Sequence, residues 1–143
     1  MKDNFLISVT GTQIIDGEKE SIKLTTGGEY VTEENTHCIR YKEYDNDNPD
    51  ICFHNTVRVE GDTLTVIRSG PAQSRLILEK GRRHQCHYNT MFGDLTVGVF
   101  TDTVVNCLTE KGGTLRASYT LDFNAGLVSK NEIYIKVTEK EVN

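Results

Sequence analysis

The sequence predicts an all-β protein: a single antiparallel up-and-down β-barrel of about 8–10 strands. Three observations predict it. Apolar residues recur with period 2 along nearly the whole chain, the breaks between runs carry glycine-centred hairpin chemistry, and no window carries the 3.6-residue spacing of a long amphipathic helix.

Taken in order, Phe5, Ile7 and Val9 share one face of a first strand, and Ile22, Leu24, Thr26, Gly28 and Tyr30 share one face of the next. Val57 and Val59 follow, then Leu64, Val66 and Arg68, then Leu76 and Leu78, then Leu95, Val97, Val99 and Thr101. The cleanest run is Leu115, Ala117, Tyr119, Leu121 and Phe123, with Arg116, Ser118, Thr120 and Asp122 opposite; Ile133, Ile135 and Val137 close the series. Between the runs stand Asp16-Gly17, Glu60-Gly61-Asp62, Lys80-Gly81, Phe92-Gly93-Asp94 and Glu110-Lys111-Gly112-Gly113, where glycine supplies positive φ and Asn or Asp tolerates it. Short connections join antiparallel neighbours. The one longer polar gap, residues 44–50 with Pro49, reads either as a rim loop or as the place where the chain changes edge. One-sided alternation through so many consecutive strands is satisfied by closing the sheet on itself, which removes its edges. A two-sheet sandwich is the competing architecture, but it needs crossover connections that loops of hairpin length do not supply.

Three segments also carry a resemblance: Val66-Ile67-Arg68-Ser69-Gly70, Tyr88-Asn89-Thr90-Met91-Phe92-Gly93-Asp94-Leu95, and Gly113-Thr114-Leu115-Arg116-Ala117-Ser118-Tyr119 followed by Asn131-Glu132-Ile133. They resemble the YwiB-like family, a bacterial family of unknown function, and the likeness runs from the Val9 strand to Val137. The resemblance implies a calycin or lipocalin-like barrel in the cytoplasm. It carries no catalytic signature, and the short opening motif with tryptophan that lipocalins use is absent because the chain has no Trp.

At 143 residues the chain fits one domain, 1–143, large enough to build a core without disulfides or a structural metal. Sixteen Lys and Arg against 21 Asp and Glu leave a formal charge of −5, the wrong field for a general nucleic-acid or anionic-membrane binder. Residues 1–10 alternate instead of forming a continuous apolar stretch, so they read as a strand and not as a leader, and the expected location is cytoplasmic. Cys38, Cys52, Cys86 and Cys107 are scattered and read as four free thiols.

Arg68 is the most informative residue, because its parity places a guanidinium on the face of Leu64 and Val66. A group that cannot lose its proton must there be paired or wet. It either holds the acidic head of a ligand, leans out at the barrel mouth, or pairs with a carboxylate that locks the strand. Tyr30, Tyr88 and Tyr119 fall on inferred inward faces with Thr26, Thr90 and Thr101 as hydroxyl neighbours; they either orient a ligand or fill the core with their hydroxyls on backbone groups or water. Cys52-Phe53-His54 and His84-Gln85-Cys86 are i, i+2 pairs, but no Cys-x-x-Cys or His-x-x-x-His supports a metal site. Neither a Gly-x-Ser-x-Gly elbow nor a phosphate-cradling loop is present. The basic turn Lys80-Gly81-Arg82-Arg83-His84 lacks the interleaved aromatics of a single-strand binder.

The expectation is therefore a non-enzymatic binding module for a small, partly apolar, anionic ligand or a protein partner. It uses no metal or organic cofactor, binds neither nucleic acid nor membrane, and is a monomer or homodimer. The ligand-binding residues would be Arg68, Tyr30, Tyr88, Tyr119 and Thr101. The alternative is an enzyme acting at the barrel mouth, with Arg68 stabilising an anion and a histidine among His54, His84 and His87 as acid or base.

Overall fold

A computed structural model of the chain describes residues 5–45, 47–90, 93–123 and 127–140. The period-2 runs become ten strands: β1 (Phe5–Ile15), β2 (Glu18–Glu33), β3 (Thr36–Tyr44), β4 (Cys52–Glu60), β5 (Thr63–Ser69), β6 (Gln73–Glu79), β7 (Arg83–Thr90), β8 (Gly93–Thr109), β9 (Gly112–Phe123) and β10 (Leu127–Glu139). Each pairs antiparallel with its neighbours in sequence, and β1 pairs with β10 from Phe5↔Glu139 to Ile14↔Lys130, closing the barrel. The up-and-down order collects the β2–β3, β4–β5, β6–β7 and β8–β9 connections at one end, here the lower, and the other connections at the upper end.

Hairpin chemistry sets these connections. Asp16 and Gly17 both have positive φ, 50° and 80°, the pair of left-handed residues whose twist matches two antiparallel strands. Inside, the register stacks apolar side chains across several strands. Leu64 lies opposite both Val59 and Leu78, Val57 opposite Ile39, and Leu115 opposite Ile135, all with no solvent exposure. The middle of the barrel is a close-packed aliphatic core, so the fold is held chiefly by area removed from water.

Two departures from simple alternation matter. A bulge between Thr101 and Thr103 shifts the parity of β8: Val99 and Thr101 face inward before it, Val104 and Leu108 after it, and Val105 is turned out. Secondly, two seams are incomplete. The β2–β3 ladder stops at Gly28↔Tyr41, so among the described residues Glu18–Gly27 pair only with β1 and Lys42–Tyr44 only with β4. Ile22 shares the inward parity of Leu24 yet is 75% exposed, because no described strand covers it on that side. The β6–β7 ladder holds only from Gln73↔Asn89 to Arg75↔His87; nearer the lower end the Ile77 amide donates to Cys86 Sγ at 3.5 Å and Lys80 bridges to Thr101 of β8.

On the outer wall Arg83 of β7 donates to both carboxylate oxygens of Asp122 of β9, at 2.5 and 2.9 Å, across the intervening β8. The strand passes beneath as Gly98, where a Cβ would stand 2.1 Å from Arg83 Nη2. The bidentate bond, and then the charge of the guanidinium, hold the Asp122 carboxyl below its ordinary range.

Candidate functional site

At the upper end the inward faces of β3, β4 and β5 run out of aliphatic residues and become polar. Tyr41 and Glu43 continue the inward line of Ile39, and Phe53 and Asn55 that of Val57. Arg68 continues that of Leu64 and Val66, directly opposite Asn55. Arg68 Nη2 lies 3.4 Å from Glu43 Oε1, and the guanidinium carbon stands 3.9 Å over the Phe53 ring. Asn55, only 6% exposed, donates its amide to the same Glu43 oxygen at 3.4 Å. Arg68 Nε is buried without a hydrogen-bond partner among the described residues. Tyr41 sits beneath this group: burial first, then the neighbouring Glu43 charge, push its hydroxyl up to about 12, with Arg68 pulling the other way. It is a neutral phenol at physiological pH.

Arg68 also lines a cleft of about 460 Å³ at the upper rim of β5, β6 and β7, together with Ile67, Ser69, Gln73, Ser74, Arg75 and His87. Arg75 and His87 are register partners, and Arg68 is opposite Ser74 one position away. Two arginines and a histidine contribute to its lining beside three serine and glutamine positions and Ile67, and no Asp or Glu among the described residues lines it. Glu43 stands on the other side of Arg68.

The remaining expected site residues are dispersed. Tyr30 is 7% exposed near the lower end, where its hydroxyl donates to the Thr109 carbonyl at 2.5 Å and sits 2.9 Å from His37 Nδ1, its ring edge-on to Phe5. Burial raises its pKa, with the Thr32 hydrogen bond opposing. It ties β2 to β8 across the lower end, whereas Arg68 of β5 is at the upper end. Thr101 and Tyr119 are register partners on β8 and β9, with Thr101 fully buried. The backbone of Tyr88 pairs with Ser74, itself opposite Arg68, while the Tyr88 side chain lies outside the described residues. Of the five, the structure brings Thr101 to Tyr119 and separates both from Tyr30.

Among the histidines, His87 shares the cleft of Arg68, His84 lies near the lower end 2.9 Å from Glu79 Oε1, and His54 is on the outer face of β4 opposite Lys42. Cys52 and His54 face outward on β4, whereas Cys86 faces inward on β7, so the two i, i+2 pairs do not converge. Among the described residues no three His, Cys, Asp or Glu side chains cluster, and all four cysteines are free thiols.

The Thr101 hydroxyl is buried without a partner among the described residues. A buried hydroxyl that makes no hydrogen bond carries its desolvation cost uncompensated, so Thr101→Val is expected to stabilise the protein by about 1 kcal/mol. Urea unfolding checks this. A loss of stability would reveal a hidden partner for the hydroxyl.

The fold defines a class: a closed, ten-stranded, up-and-down barrel around an aliphatic core, with a polar inward-facing cluster at its upper rim. More particularly, the chain belongs to the family described as a domain of unknown function, DUF1934, whose model matches residues 7–135. It is similar to the crystal structure of ywiB protein from Bacillus subtilis, with a TM-score of 0.70 and 24% sequence identity over 95% of this chain and 94% of that one. That likeness is one of fold, and places the chain among YwiB-like barrels of unknown function. No curated protein matches it. No helix among the described residues is long and apolar enough to cross a membrane.

Proposed function

We propose that the protein is a non-enzymatic, cytoplasmic binding barrel that takes a small, partly apolar anion at its upper rim, and that it is lipocalin-like in use, with the site moved from the lumen to the wall. The observation that carries this reading is the cleft lined by Arg68, Arg75 and His87 with no carboxylate among the described residues that line it. A carboxylate or phosphate there would accept charge-assisted hydrogen bonds from a guanidinium already oriented by Phe53 and Glu43. Ile67, 38% exposed, offers the apolar contact. Four unpaired thiols support the reducing compartment. The packed centre supports a rim site over a deep one.

Arg68→Met keeps much of the stem volume and deletes the charge. Titration calorimetry with dodecanoate and with phenyl phosphate is expected to show at least one of them binding the unaltered protein. The variant should bind it about 1.5–3 kcal/mol more weakly, the scale of a lost charge-assisted hydrogen bond. Thermal stability should change little, because Arg68 and Glu43 are a half-exposed pair, 39% and 38%, of the kind that contributes about 0–1 kcal/mol. Failure of both probes to bind, or equal affinity in the variant with a lowered Tm, would leave Arg68 as a strand-locking residue.

A further inference from the structure

The unfinished β2–β3 seam leaves a strand edge whose surroundings have a definite chemistry, independent of the anion cleft. Between Glu18 and Gly27 every second N–H and C=O of β2 points away from β1, and β3 is not there to meet them. Natural edges are commonly blunted by charge, and Glu18, Lys19 and Glu20 do this near the hairpin tip. The stretch Ser21–Gly27 carries a single charge, Lys23.

The two faces beside that stretch differ. On the outer face are Lys23 and, beyond the gap, Lys42 with His54 opposite it; Lys42 and His54, but not Lys23, also line a cleft of about 420 Å³ that takes in Tyr44 from the outer face and Thr26, Tyr41 and Asn55 from the inner one. None of the ion pairs among the described residues uses Lys23 or Lys42, while the Glu29 and Arg40 that also line the cleft are 3.9 Å from each other. On the inner face are Ile22, 75% exposed, and Leu24. A strand added here would alternate its side chains between a basic surface and an apolar one.

We propose that the Ser21–Gly27 edge of β2 is a docking site for an extended partner segment of about seven residues that alternates acidic and apolar side chains, bound by strand addition. The partner's acids face Lys23, Lys42 and His54. Its apolar residues cover Ile22 and Leu24, and its main chain completes the ladder that β3 leaves open.

The test is fluorescence anisotropy with a labelled seven-residue peptide alternating glutamate and valine, beside its lysine–valine counterpart and a glutamate–valine peptide N-methylated at alternate residues. The first should bind the full chain and slow amide exchange of residues 21–27. The lysine peptide should bind at least about tenfold more weakly, as should the acidic peptide to the double variant Lys23→Glu, Lys42→Glu. Of the two ways to methylate alternate residues, the one that blocks the N–H groups facing β2 keeps the side chains but removes every ladder donor, and that peptide should not bind. Equal affinity for acidic and basic peptides, undiminished binding of the N-methylated one, or protection elsewhere would overturn the proposal. So would a dimer in sedimentation that Lys23→Glu dissolves, since a second copy would then be the occupant.

Discussion

Truncating Leu64 to alanine is expected to destabilise the protein by about 4 kcal/mol, within the range of buried leucine deletions. Leu64 has no exposure and is held between Val59 and Leu78 in the register of three adjacent strands. A closed ladder cannot slide inward to fill the space, so the cavity persists and the loss should lie toward the upper part of that range. Urea unfolding should show a lower midpoint with an unchanged m-value. The experiment also bears on function. A loss under about 1 kcal/mol would mean that Leu64 lacks close neighbours and that the centre holds space for a ligand, against a rim site.

Gly28→Ala should be damaging out of proportion to one methyl group. Gly28 is the first β2 residue in chain order to pair with β3, opposite Tyr41 at the upper end of that ladder, and also pairs with Phe5. A Cβ there would meet Ile7 Cδ1 at 2.3 Å and the Arg40 carbonyl oxygen at 2.5 Å. The isoleucine can rotate, but a backbone oxygen in a ladder cannot retreat without breaking its pairing. The expected cost is about 3 kcal/mol, measured by denaturant unfolding, with faster amide exchange along Glu29–Glu33. Stability within about 0.5 kcal/mol of the parent would show that the end of this ladder already yields.

The strands were legible because alternation survives wherever one face of a sheet is buried. Leu64, Val66 and Arg68 lie on one face as their spacing requires, and the Asp16-Gly17 turn follows from residue chemistry alone. Alternation specifies parity and not cover. Ile22 obeys its parity and is still exposed, because whether a neighbouring strand reaches that height depends on strand lengths and stagger. The parity switch in β8 was invisible as well, since Asp102 between two threonines has no bulge signature. As to the rim, the sequence marked Arg68 and not its surroundings. An inward guanidinium demands an inward acceptor at the same height, and the line Ile39, Tyr41, Glu43 could have supplied it; Phe53 and Asn55 needed the register. The Arg75–His87 contribution was hidden, because at the rim residues of opposite parity come to line one cleft.

The β1–β10 ladder has a consequence for how the chain comes to be folded. Phe5 meets Glu139 and Ile14 meets Lys130, so the contact that turns an open meander into a barrel joins the first strand made to the tenth, with the eight others lying between them in the sequence. Until β10 leaves the ribosome, the growing sheet has two edges and an uncovered apolar face, the condition in which nascent chains are most exposed to aggregation. Most neighbouring pairings are local and can zip quickly as hairpins, but closure must wait for the most distant pairing of all. The rate at which native protein appears should therefore follow the formation of this last seam, on the millisecond-to-second scale of non-local β topologies.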